Sequence, residues 1–175
     1  LKEVIDEEFS AVLVKGRGNY LSLRRLELAS HRQDQLFTDR KVLEELHDIE
    51  DWAYKTEDGS RATLPAPVGP EVWEKVQSDG GNCMGRRCPH YDTCFYQRAR
   101  GQMLKADLLI VNHALFFADL AMRSRGRGLL PHYDHVILDE AHTVEDVASD
   151  HFGLSCSEYQ VRYLLNGLHQ PRTGR

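Results

Sequence analysis

Val136-Ile-Leu-Asp-Glu-Ala-His142 sets an apolar triplet directly before two carboxylates and a histidine. The triplet has the composition of a short buried strand, and the predicted strand covers His135 to Asp139. Open α/β sheets place their ligand sites at the carboxyl ends of such strands. In a nucleotide-hydrolysing motor that is where a carboxylate must hold Mg²⁺ beside the β- and γ-phosphates. Asp139 is expected to hold the metal, directly or through water, Glu140 to polarise the attacking water, and His142 to link the site to the rest of the motor. Polar strand ends are common, so the weight of the tetrad comes from the Val-Ile-Leu before it. Glu145 and Asp146 read as first-turn acids of the next helix and need no catalytic role.

Working outward, Asp107-Leu-Leu-Ile-Val111 is a second apolar run, expected as a strand buried on both faces by helices. A helix from about Ala114 to Met122 and a basic, glycine-rich linker, Arg123-Ser-Arg-Gly-Arg-Gly128, separate the two runs. Near the start, Ala11-Val-Leu-Val14 reads as a strand closed by the turn Lys15-Gly-Arg-Gly-Asn19. Val42, Leu43, Leu46, Ile49 and Ala53 recur at helical spacing after Thr38, with Thr38 or Asp39 as the cap. Residues Glu57 to Gly69 read as a loop, and Pro70 opens a short helix with Val72, Trp73 and Val76 on its apolar side, ended by Gly80-Gly81. Tyr96 to Leu104 is expected to be helical. Leu21, Leu23 and Leu26 begin a stretch whose pattern assigns no element. Ser157-Glu-Tyr-Gln160 has capping-box spacing ahead of Val161, Leu164, Leu165 and Leu168. Residues 20–106 are too long for an ordinary connection and are expected to form a small inserted domain. The predicted class is α/β, with residues 1–19 and 107–150 as portions of the sheet domain.

The chain has 175 residues, 41% of them hydrophobic and 28% charged, as in ordinary soluble chains. No run approaches the length of a membrane span and no signal-like start is present, so a cytoplasmic location and no membrane partner are expected. The net charge of −5 is uneven: residues 1–80 carry 11 Lys/Arg against 17 Asp/Glu, 81–130 carry 8 against 3, and 131–175 carry 3 against 7. A polyanion would meet the central, positive block.

That block also holds Cys83, Cys88 and Cys94, while the fourth cysteine, Cys156, lies 62 residues further on. Clustered thiolates are soft ligands for zinc or for iron–sulfur clusters. Gaps of four and five residues exceed the usual lower gaps of zinc sites and lean toward the larger cluster. A fourth donor is open between His90, crowded against Cys88 by Pro89, and Cys156, which reads more simply as a buried, inert thiol. Tyr20, His90, Tyr91, Phe95 and Tyr96 interleave with Arg17, Arg24, Arg25, Arg86, Arg87, Arg98 and Arg100, as a single-stranded nucleic acid would require. The aromatic residues serve equally as the core of a small domain, and Phe95 and Tyr96 are expected there.

No Gly-x-x-x-x-Gly-Lys-Ser/Thr loop occurs, so the chain is not expected to hydrolyse ATP alone. Together these pieces resemble the DinG/XPD/Rad3-like superfamily 2 DNA helicases, and the bacterial DinG-type branch in particular. The resemblance is carried by Lys15-Gly-Arg-Gly-Asn-Tyr-Leu-Ser-Leu-Arg-Arg25, by Cys83, Cys88 and Cys94, by Ala106-Asp-Leu-Leu-Ile-Val-Asn-His113 and by Asp139-Glu-Ala-His142. It implies a partial RecA-like first motor domain (1–19 and 107–150), an inserted iron–sulfur-type domain (20–106) and the start of an arch insertion (151–175). It further implies 5′-to-3′ unwinding driven by ATP and Mg²⁺, with a 4Fe-4S domain touching single-stranded or forked DNA where the strands part. Cys83, Cys88 and Cys94 match three cluster ligands. Ser22 stands where the family has its first cluster cysteine, which puts the fourth ligand in doubt. Arg17, Tyr20, Arg24, Arg25, Arg86 and Arg87 are the expected nucleic-acid contacts. Leu1 at the start and Thr173-Gly-Arg175 at the end favour a piece of a longer protein. The alternatives are a non-catalytic DNA- or protein-binding module and a structural zinc domain. No extra set of carboxylates supports nuclease activity.

Overall fold

The computed structural model describes residues 7–152, in two compact units that divide between Val111 and Asn112. The capping box at Ser157–Gln160, Cys156 and all but the first two residues of the 151–175 segment lie outside the described residues.

In the first unit, strands β1 (Ala11–Leu13) and β2 (Leu108–Ile110) pair in parallel, with Ala11 opposite Leu108 and Leu13 opposite Ile110. Ser10 and Asp107 lock the start of the pair: the Ser10 hydroxyl donates to Asp107 Oδ2 at 2.7 Å and its backbone N–H at 2.9 Å. These bonds outweigh a small burial penalty and hold the Asp107 carboxyl below the usual range. The intervening residues leave from one strand and return to its neighbour. The expected burial of the 108–111 run on both faces is not found, since Leu13 and Ile110 are 56% and 51% exposed. Two strands cannot cover their own faces; a parallel sheet is buried only by helices and further strands.

The excursion is helical: α1 (Leu23–His31), α2 (Gln33–Leu36), α3 (Arg40–Ala53), α4 (Pro70–Val76) and α5 (Phe95–Met103). Asp39 caps α3 by accepting the Lys41 N–H at 2.9 Å, and Leu46, Ile49 and Trp52 are its buried stripe. Pro70 opens α4 and Val72, Trp73 and Val76 are buried, as the pattern predicts. Its end falls earlier than Gly80-Gly81, because Gln77 is pulled into an extended bridge with Leu21. The unassigned stretch becomes α1, capped by Ser22, with Leu26 and Ala29 buried. These helices share one core around Leu21, Leu46, Ile49, Val72, Trp73 and Val76. Trp73 also donates its indole N–H to Gly18 O at 2.8 Å, tying the core to the segment before α1.

The second unit contains α6 (His113–Arg123) and α7 (Val144–Phe152). Asn112 caps α6 through the Leu115 N–H at 2.8 Å, and Phe117 meets Phe152 edge to face at 6.1 Å. Glu145 and Asp146 do lie in the first turn of α7. Asp119 is fully buried. It accepts the Leu129 and Leu130 N–H groups at 2.6 and 2.8 Å and Arg123 Nε at 2.6 Å. Arg123 in turn donates to Leu130 O and Pro131 O. Part of the basic linker is therefore a clamp. Burial pushes the Asp119 carboxyl up, yet the bonds from Arg123, Leu130 and Leu129 outweigh it and hold it below the usual range.

The predicted strand at His135–Asp139 is not formed. Val136, Ile137 and Leu138 are 47%, 92% and 42% exposed and have no ladder partner among the described residues. A strand satisfies its backbone only through a neighbour, so apolar β-forming composition without one leaves the segment outside any ladder. No helix among the described residues is long and apolar enough to cross a membrane.

Two outcomes follow for stability. Gly59 has φ of +60°, and a Cβ there would meet the Phe95 ring at 2.2 Å. Gly59→Ala is expected to cost about 2–4 kcal/mol through left-handed strain and overpacking, measured by denaturant unfolding. Asp119→Asn should speed hydrogen exchange at the Leu129 and Leu130 amides roughly ten- to hundredfold, the loss of charged hydrogen bonds of about 1.5–3 kcal/mol. Because the folded carboxyl titrates below its unfolded value, the same protection is present above about pH 4 and is lost in the parent chain as pH falls further.

Candidate functional site

Cys83, Cys88 and Cys94 are free thiols brought to one place by short, turn-rich backbone. Gly85, at φ +56°, starts the 3₁₀ turn Gly85–Arg87 that ends on Cys88, and Cys94 precedes the first residue of α5. The three sulfur-bearing residues line one cavity of about 40 Å³ together with Ser22. The sequence comparison of position 22 with a cluster ligand thus has a spatial counterpart: four residues from three segments face one space. His90 does not line it and is instead 2.9 Å from Glu27 Oε2. Among the described residues no group of three or more His, Cys, Asp or Glu side chains is placed to hold a metal ion.

The walls of the cavity carry three guanidinium groups and one carboxylate, Asp79. Arg17, Arg24 and Arg25 all line it. Arg17 lies over the Tyr96 ring at 4.2 Å, donates to Cys83 Sγ at 3.7 Å, and keeps its Nε buried without a partner. The Gly85 N–H also donates to Cys83 Sγ, at 3.4 Å. N–H groups aimed at sulfur and an unspent buried donor suit a bound group with anionic sulfur on its surface. The donors the cavity offers are three thiols and the hydroxyl of Ser22.

The other expected nucleic-acid residues divide. Arg24 donates to Asn82 O at 2.5 Å, and Arg25 forks onto Gln77 O and Glu74 O at 2.7 and 2.6 Å. Tyr20 is 6% exposed and packs at 5.9 Å from Tyr96. Its burial, with Asp58 and Tyr96 nearby, pushes its hydroxyl up. Phe95 joins the core and Tyr96 packs against it. Arg86 and Arg87 are exposed on the turn between Cys83 and Cys88.

The acidic tetrad sits on an exposed turn of the second unit, not at a strand end. Glu140 is the one described non-glycine residue with positive φ, at +48°. Its carbonyl accepts from the Thr143 N–H at 2.9 Å and the Thr143 hydroxyl at 3.0 Å. The Asp139 carboxylate accepts the Glu140 N–H at 3.0 Å, and His142 Nδ1 is 3.3 Å from Glu140 Oε2. His113 Nδ1 reaches Thr143 Oγ1 at 3.0 Å, connecting the first turn of α6 to the tetrad's turn. Thr143 was not singled out by sequence reasoning; its position immediately after the tetrad is the available signal.

No family model matches the chain. It is 38% identical over 154 residues to the ATP-dependent DNA helicase YoaA of Escherichia coli, covering 87% of this chain and 24% of that protein. It is 35% identical over 167 residues to YoaA of Haemophilus influenzae, covering 92% and 25%. The ATP-dependent helicase DinG of Mycobacterium tuberculosis is 34% identical over 148 residues, covering 77% and 22%. The chain therefore spans about a quarter of the length of these relatives and is homologous to a segment of the bacterial DinG- and YoaA-type helicases.

Proposed function

We propose that this chain acts as part of an ATP-dependent, 5′-to-3′ DNA helicase, supplying the iron–sulfur-type domain that contacts single-stranded or forked DNA at the point of strand separation. The observation that carries the proposal is the shared cavity of Ser22, Cys83, Cys88 and Cys94. It lies in a helical body that leaves from β1 and returns to β2. In this reading residues 1–19 and 107–150 are portions of the first RecA-like motor domain, 20–106 the inserted domain and 151–175 the start of an arch.

Cys83, Cys88 and Cys94 would hold the cluster, which supplies a rigid cross-link rather than chemistry on DNA. A cluster of three thiols fixes the 83–94 loop in a body whose apolar core does not reach it, and so orients Arg86 and Arg87 outward. Those two guanidiniums meet phosphate; Arg24 and Arg25 are already committed to backbone carbonyls and serve the DNA surface by shaping it. Asp139 would hold Mg²⁺ and Glu140 would orient the attacking water, with ATP seated against a phosphate-binding loop that these 175 residues do not contain. His142, next to Glu140, and Thr143, bonded to His113, would pass the state of that site to α6.

Binding of forked DNA to the iron-loaded protein, followed by fluorescence anisotropy across a salt series, tests the DNA reading. Arg86→Ala with Arg87→Ala is expected to lower the slope of log K against log salt by roughly 0.7 for each single-strand phosphate that an arginine no longer neutralises. An unchanged slope and affinity would remove the 83–94 loop from the DNA interface.

A further inference from the structure

The basic, glycine-rich segment after α6 is held in a defined turn. The Arg125 and Arg127 N–H groups both donate to Met122 O at 3.0 Å, folding the segment back on the last turn of the helix. Gly126, between them, sits at φ +77°, where a side chain would be strained. Gly128 has little room for one: a Cβ would lie 3.4 Å from Arg123 Cζ, Asp119 Oδ1 and Leu130 O. Beyond it the buried Asp119 carboxylate takes the Leu129 and Leu130 amides and Arg123 Nε. A buried carboxylate is costly unless fully bonded, and here these bonds close the turn onto α6.

What the turn presents is charge. Arg125 and Arg127 are exposed, and neither guanidinium is bonded to another group among the described residues. Arg123, by contrast, is spent on Asp119, Leu130 O and Pro131 O. From Leu120 to Tyr133 the sequence has three arginines and no acid, and Asp119 offsets Arg123 alone. Ser124 to Gly128 are all exposed, with Met122 as the neighbouring exposed large apolar side chain. A protein partner is gripped by apolar and aromatic anchors; a phosphate backbone needs only guanidinium and N–H donors.

We propose that the Arg125-Gly126-Arg127 turn is a contact for the phosphate backbone of single-stranded DNA, shaped in advance by the Asp119 clamp. It belongs to the second unit and not to the one that carries the cysteines. The inference rests on the reading that the chain meets single-stranded DNA, and uses neither the cysteines nor anything they hold. A turn already fixed in shape loses little freedom when phosphate docks, so its two charges act at low ordering cost.

Fluorescence anisotropy of labelled oligothymidine with the full chain, across a salt series and without added iron, tests the contact. The variants are Arg125→Gln with Arg127→Gln, Arg125→Lys with Arg127→Lys, Asp119→Asn, and a charge-matched control, Arg32→Gln with Arg40→Gln, two arginines exposed elsewhere. The Arg125/Arg127 glutamine pair is expected to lower the slope of log K against log salt by roughly 1.4, about 0.7 for each phosphate no longer neutralised. Its affinity deficit should then shrink roughly sevenfold from about 50 to about 200 mM salt. The lysine pair should keep the slope and bind more weakly, because a point charge loses the bidentate fork. Asp119→Asn makes the chain more positive, yet should bind more weakly because the turn is no longer held. A glutamine pair that behaves as the control pair does, or tighter binding by Asp119→Asn, would overturn the inference. So would polyglutamate competing as well as oligothymidine at equal charge, which would make an acidic protein segment the partner. A response to Arg86→Ala with Arg87→Ala but not to the Arg125/Arg127 pair would overturn this inference alone. The reverse would sustain it and remove the 83–94 loop from the interface. Absence of oligothymidine binding by the parent would overturn both.

Discussion

Arg25 ties the first turn of α1 to the end of α4, and the cysteine cavity exists because of that tie. Its planar fork reaches Gln77 O and Glu74 O, two of the carbonyls that a helix leaves without an internal partner at its C-terminal end. With those points joined, Leu21 bridges Gln77 and the Ser78 N–H reaches Tyr20 O at 2.7 Å. Ser78, Asp79 and Asn82 are thereby delivered to the side of α1 that carries Ser22. Arg24 fixes the last of these through Asn82 O, one residue before Cys83. Beneath the tie, Leu21, Val76 and Trp73 are almost wholly buried, and each such side chain contributes about 1.5–3 kcal/mol. Apolar burial holds α1 and α4 together; the arginines set their register.

This division of labour explains which parts were legible in the sequence. α3 and α4 could be read because each combines a periodic apolar face with a local start signal, Asp39 in one and Pro70 in the other. α1 could not, because Arg24 and Arg25 interrupt its apolar spacing and its cap is the residue that the family resemblance assigns to a ligand. The same two arginines looked like a nucleic-acid surface, since composition shows charge and not whether a carbonyl already accepts from it. Tyr20, aromatic and close to arginines in sequence, is buried against Tyr96, which composition does not show. The three cysteines, by contrast, were legible as neighbours, because close spacing on a turn-rich segment confines them to one cavity.

In the second unit the sequence signal was present but incomplete. Val136–Leu138 has the composition of a strand, but composition cannot supply a neighbour, and without one the triplet stays exposed and outside any ladder. Asp119 was overlooked although its signature was available: one carboxylate in the apolar helix Ala114–Met122, with Arg123 four residues on. Such an acid is seldom buried unless paired and hydrogen-bonded. The left-handed Glu140 had no comparable signal. Its conformation is sustained by the turn that Thr143 closes on the Glu140 carbonyl, and through His113 that turn answers to α6.

Position 22 shows two requirements competing for one side chain. A cap needs an acceptor close to the amide of Arg25, and serine is among the best residues for it, worth about 0.5–2 kcal/mol over alanine. A cluster needs a thiolate, whose sulfur is a weaker hydrogen-bond acceptor but a far better ligand for iron. At 3.4 Å the Ser22–Arg25 bond is long, so it lies toward the low end of that range. A cysteine here would forgo little as a cap and gain a metal bond, which makes the serine costly if a closed cluster were the only requirement. The backbone around the hydroxyl is held by Arg24, Arg25 and Trp73 independently of the three cysteines.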